Sequence, residues 1–286
     1  MRANLERITT AVVAGAEIEY SERGDGEPLL LVHAGVFADW FVPLIASPAL
    51  DSLRVIRVRR AGYGANAPAS HLSIQDHASH LMALADLLEL DTLHVAGHSS
   101  GGLIAFQMAA DRPELVHSLI LIEPAACGPF QVPAFAELGE RFVGPAMGAF
   151  STGDLQGAFD TFMRGVCGNQ SRDIIERSLG RAGYEQAIRE SQFFFRDEVP
   201  ACMEWQLETT STIKQPVLVV EGADGRELGT LSQQVTERAT TVLPQAEVVL
   251  IEGTNHMLPL QDPDALAQAL AGFIRRHPIG SPISAS

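Results

Sequence analysis

Gly97-His98-Ser99-Ser100-Gly101 is the stretch of sequence that decides the fold. An apolar run, residues 93–96, precedes it, and a helix-like run, residues 103–110, follows it. A serine in a sharp turn between a strand and a helix needs glycine two residues away on each side, because strand and helix approach closely there. The spacing therefore predicts a nucleophilic Ser99 at the end of a buried strand.

Five other short apolar runs are similar to the strand before Ser99 in length and composition. They cover residues 29–32, 55–58, 119–122, 217–220 and 248–251. Such runs are typical of parallel strands covered on both faces. Apolar residues at helical spacing in 74–88 and 264–276 lie between or after them. The alternation predicts an α/β, doubly wound fold.

The alternation breaks between residues 125 and 213, where no strand-like run occurs. Four helices are predicted there, over residues 134–142, 154–162, 173–182 and 186–194. We therefore expect a core of residues 1–124 and 213–277, with residues 125–212 inserted as a helical cap. The Pro- and Ser-rich end, residues 278–286, is predicted to be a flexible tail.

The charged residues exclude several kinds of chemistry. Among 286 residues, 20 Lys and Arg face 35 Asp and Glu, a net charge of −15, and Lys214 is the single lysine. P-loop and Schiff-base chemistry both depend on lysine and are poor interpretations. Nucleic acid is not expected as a partner, because phosphate binding needs clustered basic residues.

Three cysteines, Cys127, Cys167 and Cys202, follow no metal-ligand spacing. His94 and His98 are four residues apart, but a strand and a tight turn do not place them on one side, so we expect no metal site. No apolar run reaches the length of about 18 residues that a membrane span needs. The sequence favours a cytoplasmic protein with reduced thiols and no membrane span.

Four further motifs follow predicted strands or precede them. They are Val32-His33-Ala34-Gly35, Gly62-Tyr63-Gly64, Arg112-Pro113-Glu114-Leu115-Val116 and Gly253-Thr254-Asn255-His256. Together with the serine motif they resemble the α/β-hydrolase family over nearly the whole chain. The resemblance implies a mostly parallel eight-stranded sheet, a helical cap after strand 6 and no cofactor. The chain departs from the family pattern at Ala34, which occupies a glycine position, and at Arg59 and Ala61, which replace an acidic and a basic residue.

The resemblance also assigns roles in a catalytic site. His256, in a loop after a late strand, takes the place of the base, and the backbone N–H groups of Gly35 and Ser100 take that of the oxyanion hole. The carboxylate of the triad has two candidates. Glu123, at the end of the strand over residues 119–122, is preferred because a buried carboxylate there needs a partner such as His256. Asp224 remains the alternative.

A serine hydrolase is the function that the resemblance implies, with an acyl-enzyme on Ser99 and a carboxylic ester or lactone as substrate. The apolar side chains of the cap and the charge of −15 favour a fairly hydrophobic, uncharged small molecule. The residues expected to contact it are His33, Val36, Phe130, Phe194, Trp205 and Met257.

Other functions on the same scaffold stay open. A carbon–carbon bond hydrolase would bind a substrate carboxylate through an arginine such as Arg164, Arg181 or Arg189. A cofactor-free haloperoxidase would use the same three catalytic residues. A receptor-like binding protein would keep the pocket with little turnover. A homodimer also stays open.

Overall fold

The computed structural model describes residues 7–64, 71–207 and 213–280. Their strands form one eight-stranded sheet with helices on both faces. The strands are β1 (Thr9–Val13), β2 (Ala16–Arg23), β3 (Glu27–Val32), β4 (Leu53–Arg59), β5 (Leu93–His98), β6 (Val116–Ile122), β7 (Val217–Gly222) and β8 (Ala246–Ile251). The helices are α1 (Ile74–Leu87), α2 (Ser100–Asp111), α3 (Ala134–Leu138), α4 (Gly144–Ser151), α5 (Leu155–Cys167), α6 (Ser171–Phe193), α7 (Val199–Glu204), α8 (Leu231–Val242), α9 (Leu258–Gln261) and α10 (Pro263–Arg276).

The strands lie in the order β1-β2-β4-β3-β5-β6-β7-β8. β2 runs antiparallel to both of its neighbours, whereas the pairs from β4 to β8 are parallel. The predicted fold class is confirmed, and all six predicted strands are present. The parallel arrangement brings the carboxyl ends of β3, β5, β6, β7 and β8 to one edge of the sheet.

Both faces of the sheet are buried, which explains the continuous apolar runs. In β3, Leu30 and Val32 pack on the side of α1, α2 and α8, and Leu29 and Leu31 pack on the side of α10. Because side chains alternate along a strand, a strand covered on both sides must be apolar at every position.

Between β6 and β7 the described residues form helices joined by short loops and contain no strand. Two predicted helices merge into α6, where Gly180 interrupts the helix with a φ of 74°. The helix predicted over residues 134–142 continues past α3 as a π-helical turn, Gly139–Val143. A second π-helical turn, Phe194–Glu198, joins α6 to α7. These helices and the loop after β3 share one apolar cluster, so the predicted cap packs directly over the carboxyl edge of the sheet.

Most of the predicted tail, residues 278–286, lies outside the described residues, of which the last is Gly280. Across the described ranges, no helix combines the length and the hydrophobicity needed to cross a membrane.

Candidate active site

Ser99 lies in a strained turn between β5 and α2. Its backbone has φ 54° and ψ −119°, a conformation that a non-glycine residue adopts only when its surroundings enforce it. The Ser99 N–H donates to the carbonyl of Ile122 at 3.0 Å, and the Gly102 N–H donates to the carbonyl of Ser99 at 2.9 Å. These bonds hold the serine at the end of β5, beside the end of β6.

The glycines on either side of Ser99 are required by close backbone approaches. A Cβ on Gly97 would lie 2.2 Å from the carbonyl oxygen of Gly101, and a Cβ on Gly101 would lie 2.3 Å from that of Val32. Both distances are far shorter than a van der Waals contact. The Gly-x-Ser-x-Gly pattern is therefore a packing requirement of this turn.

Glu123 and His256 are joined by a hydrogen bond. The Glu123 Oε2 atom lies 2.8 Å from Nδ1 of His256, and the second oxygen accepts the Gly222 N–H at 2.9 Å. Glu123 is 8% exposed and has a positive φ of 42°, a backbone conformation that is uncommon for a residue other than glycine. With a carboxylate as acceptor, the proton of the imidazole stays on Nδ1, and Nε2 is left with a free lone pair.

Asp224 is placed differently from Glu123. Its side chain is exposed, and its backbone N–H donates to the carbonyl of Thr254 at 2.8 Å. Of the two carboxylates left open by the sequence, Glu123 is therefore the one that the structure pairs with His256.

The loop that carries His256 is held by a second histidine. Nε2 of His98 lies 3.0 Å from the carbonyl oxygen of His256, and the two rings lie 4.8 Å apart. The His98 ring also packs edge-on against Trp40. Burial, together with the neighbouring His256, lowers the pKa of His98 well below its ordinary value, so His98 is a neutral donor here.

Gly35 lies in the loop after β3, on the other side of Ser99. Its carbonyl accepts the indole N–H of Trp40 at 2.9 Å and the N–H of Phe37 at 2.9 Å. A Cβ on Gly35 would lie 2.5 Å from the ring of Phe194, so glycine is needed where the cap meets this loop. Ser100 follows the serine directly as the first residue of α2, with its backbone N–H among the unpaired donors of a helix N-terminus.

A cavity of about 180 Å³ joins these groups. Ser99, Ser100, Glu123, His256 and Gly35 all contribute to its wall. The remainder of the wall is mainly apolar and comes largely from the cap. Cap side chains in the wall include Phe135, Leu138, Phe162, Met163, Val166 and Val199.

The predicted substrate contacts divide into two groups. Val36 and Phe194 line the cavity, whereas His33, Phe130, Trp205 and Met257 are absent from its wall in the described part of the chain. Each of those four side chains is buried away from this wall, as Met257 is in the cluster under the cap, so their contact with a substrate stays a prediction that the cavity does not support.

Phe130 and Trp205 both pack against Phe106 of α2, and the Trp205 indole donates to Gln107 at 2.8 Å. His33 is held inside the loop after β3, where its Nε2 accepts the N–H of Arg60 at 3.1 Å. These aromatic side chains pack outside the wall and do not face the cavity.

Three proposed arginines, Arg164, Arg181 and Arg189, are likewise absent from the wall as the described residues define it. Arg141 lines the cavity instead, and its guanidinium is paired with Glu137 at 2.7 Å. The pair leaves no net charge at this part of the wall.

Several wall residues were not anticipated from the sequence. All three cysteines line the cavity, and burial raises the pKa of each thiol, that of Cys127 to about 11. Trp40, which bonds to Gly35, also lines it. Trp40 lies seven residues after His33, close to the predicted oxyanion loop, and this position could have indicated its place in the cavity wall.

A model of the alpha/beta hydrolase family matches residues 29–269, and the chain belongs to that family. The dihydrolipoyllysine-residue acetyltransferase component of the acetoin cleaving system of Pseudomonas putida is 28% identical over 93% of this chain and 69% of that protein. The (E)-2-((N-methylformamido)methylene)succinate hydrolase of Acinetobacter baylyi is 25% identical over 91% of this chain and 94% of that protein. A solved structure of Est816, described as an N-acyl homoserine lactone degrading enzyme, has a TM-score of 0.72, 23% identity, and coverage of 93% of this chain and 100% of that chain.

The family membership confirms the resemblance drawn from the sequence motifs and the expectation of an enzyme of the hydrolase kind. The likeness to Est816 confirms the fold, including the eight-stranded sheet.

Proposed function

We propose that this protein is a serine hydrolase that cleaves carboxylic esters or lactones through an acyl-enzyme on Ser99. The observation that carries the proposal is the bond of 2.8 Å between Glu123 and His256, at a cavity whose wall also holds Ser99. A carboxylate, an imidazole and a serine in a strained turn are the three parts that nucleophilic acyl transfer requires.

The reaction begins when the Ser99 hydroxyl oxygen attacks the substrate carbonyl carbon. Nε2 of His256 takes the hydroxyl proton, while Glu123 keeps the other ring proton on Nδ1 and stabilises the resulting imidazolium. The backbone N–H groups of Gly35 and Ser100 bind the negative oxygen of the tetrahedral intermediate. Each such donor is worth about 3 kcal/mol to the transition state.

The intermediate collapses when the bond to the leaving oxygen breaks, and His256 returns its proton to that oxygen. A water molecule then repeats the sequence on the acyl-enzyme, which releases the acid and restores Ser99. In a lactone both products remain one molecule, so a single hydroxy acid leaves the cavity.

Two features support an uncharged, fairly hydrophobic substrate. The wall is mainly apolar, and its one described arginine, Arg141, is already paired with Glu137. The chain's net charge of −15 also repels anions. Est816, which shares the fold, is described as degrading an N-acyl homoserine lactone, and this supports including lactones beside simple esters.

A substrate panel tests this proposal. Wild-type protein and Ser99→Ala are assayed with neutral p-nitrophenyl esters of increasing chain length, neutral lactones, matched esters with a carboxylate, and a carbon–carbon hydrolase substrate of the diketone acid type. We expect turnover of neutral esters or lactones, slower turnover of the anionic esters, and only background with Ser99→Ala. Preferential cleavage of the diketone acid would overturn the proposal.

A further inference from the structure

A buried ion pair connects the cap to the loop after β4. The Arg60 Nη2 atom lies 2.9 Å from Oε1 of Glu198, and the two side chains are 1% and 0% exposed. Glu198 ends the second π-helical turn of the cap, and its other oxygen accepts the hydroxyl of Tyr63. Burial, together with the Glu198 carboxylate, raises the pKa of Tyr63, so its O–H remains a donor.

The same guanidinium reaches the loop that carries Gly35. Arg60 Nη2 donates to the carbonyl of Ala34 at 3.3 Å, and Nδ1 of His33 lies 2.6 Å from the same oxygen. Because Nε2 of His33 accepts the Arg60 N–H, the ring proton is on Nδ1 and points at the Ala34 carbonyl. Burial and the Arg60 charge lower the pKa of His33, which keeps the ring in this neutral form.

The Ala34 carbonyl and the Gly35 N–H belong to one peptide group. In a trans peptide they point in opposite directions, so a group that fixes the carbonyl also fixes the direction of the N–H. A cation bonded to the carbonyl further polarises the peptide and strengthens its N–H as a donor. Arg60 and His33 thus act on the far side of the N–H that the proposed function assigns to the oxyanion hole.

We propose that Arg60 and Glu198 are positioning residues for the oxyanion hole: Glu198 of the cap holds the Arg60 guanidinium against the Ala34 carbonyl, which orients the Gly35 N–H toward Ser99. This inference rests on the proposed function. It also makes the cap a part of the catalytic geometry and not only the wall of the cavity.

Stability alone does not account for this pair. A buried ion pair costs desolvation, and well-packed apolar residues of similar volume often replace one without loss of stability. Within the described ranges, Nε and Nη1 of Arg60 are also buried without a hydrogen-bond partner, which adds to that cost. An apolar pair could fill the same space, but it could not bond to the Ala34 carbonyl.

The experiment compares Glu198→Gln, Arg60→Met and the double variant with the wild type. In the double variant, glutamine still accepts the Tyr63 hydroxyl and no unpaired charge is buried. The control is Asp197→Asn, which removes an equally buried carboxylate one residue earlier. Asp197 pairs with His71 and Arg196, not with the Ala34 loop.

We measure kcat and KM for the best ester, the melting temperature, and the inhibition constant of a boronic acid that forms a tetrahedral adduct with the serine. Removing one oxyanion donor outright lowers kcat by about 100-fold to 1000-fold, so misorienting one should lower it by about 10-fold to 100-fold. We expect that loss of kcat in Arg60→Met and in the double variant, with KM within about threefold of the wild-type value. The inhibition constant of the boronic acid should rise by the same factor as the loss in kcat/KM. Asp197→Asn should retain kcat within about twofold.

A folded double variant that keeps wild-type kcat and boronate affinity would overturn the inference. So would an equal loss in Asp197→Asn, or a rise in KM with kcat unchanged. If the Arg60 variants do not fold, the same measurements of kcat and boronate affinity on Glu198→Gln test the inference, because this variant keeps the side-chain shape. A failure of Glu198→Gln to fold would assign the pair a purely structural role. Failure of the proposed function is distinguishable, since the wild type itself would then neither hydrolyse esters nor bind the boronate.

Discussion

Replacing Glu123 by glutamine tests the geometry of the proposed triad in a single atom. The variant keeps the shape of the side chain and exchanges one carboxylate oxygen for an NH2 group. In the wild type, one oxygen of Glu123 accepts the Gly222 N–H at 2.9 Å and the other faces Nδ1 of His256 at 2.8 Å. Glutamine has only one oxygen to offer these two donors.

The backbone decides which way the amide turns. The Gly222 N–H is fixed in the sheet and needs an acceptor, so the glutamine oxygen should face it, and the NH2 group should face His256. That NH2 group needs an acceptor, so the imidazole proton moves from Nδ1 to Nε2 and leaves a lone pair on Nδ1. In that tautomer Nε2 has no lone pair for the Ser99 proton.

The expected loss in kcat is about 10⁴-fold, as for the corresponding change in serine proteases, which corresponds to about 5.4 kcal/mol in the activation free energy. We measure kcat with the best ester of the panel and check folding by circular dichroism. Asp224→Asn is the matched control, and because Asp224 is exposed we expect kcat within about twofold of the wild type. Equal, mild losses in both variants would refute the reasoning, and a large loss in Asp224→Asn alone would assign the acid to Asp224.

Two further predictions concern stability. Gly101→Ala should lower the free energy of unfolding by about 2 kcal/mol or more in urea titrations, because its Cβ would lie 2.3 Å from the Val32 carbonyl oxygen. The control Gly148→Ala, in open space on α4, should be neutral or stabilising by about 0.5–1 kcal/mol. Equal stability of the two variants would contradict the packing argument. Burial lowers the pKa of five histidines, His33, His77, His80, His94 and His98, so below about pH 6.5 the unfolded chain binds protons that the folded chain does not. The free energy of unfolding should therefore fall as the pH drops from 7.5 to 5. The raised pKa of Glu190 acts in the opposite direction. A protein that gains stability on acidification would refute this explanation.

The sheet and the triad candidates could be predicted because their signals are local. Each central strand is covered on both faces and must be apolar along its length, so it stands out in the sequence. Ser99, Glu123 and His256 follow three strands whose carboxyl ends share one edge. β1 and β2 were not located, since their buried positions alternate with exposed ones and neither strand is a continuous apolar run.

The choice between Glu123 and Asp224 depends on the three-dimensional structure. Both residues follow adjacent parallel strands, so topology alone places either one near the loop of His256. The difference lies in the positive φ of Glu123 and in the Gly222 N–H that orients its carboxylate. Neither feature can be recognised from the sequence.

The cap residues were the hardest part to predict. An aromatic side chain suits a core and a cavity wall equally well, so composition could not separate Phe194 from Phe130 or Trp205. The contact between Arg60 and Glu198 joins residues 138 positions apart. Such a pair depends on how the cap packs over the sheet, and no local pattern encodes it.

The central claim is that Ser99 is the nucleophile, and covalent labelling tests it most directly. The protein is incubated with a fluorophosphonate, and the adduct is located by mass spectrometry of the digested chain. We predict one adduct for each chain, on Ser99, which is absent in Ser99→Ala and forms slowly in Glu123→Gln. An unlabelled wild type, or an adduct that persists in Ser99→Ala, would contradict the claim.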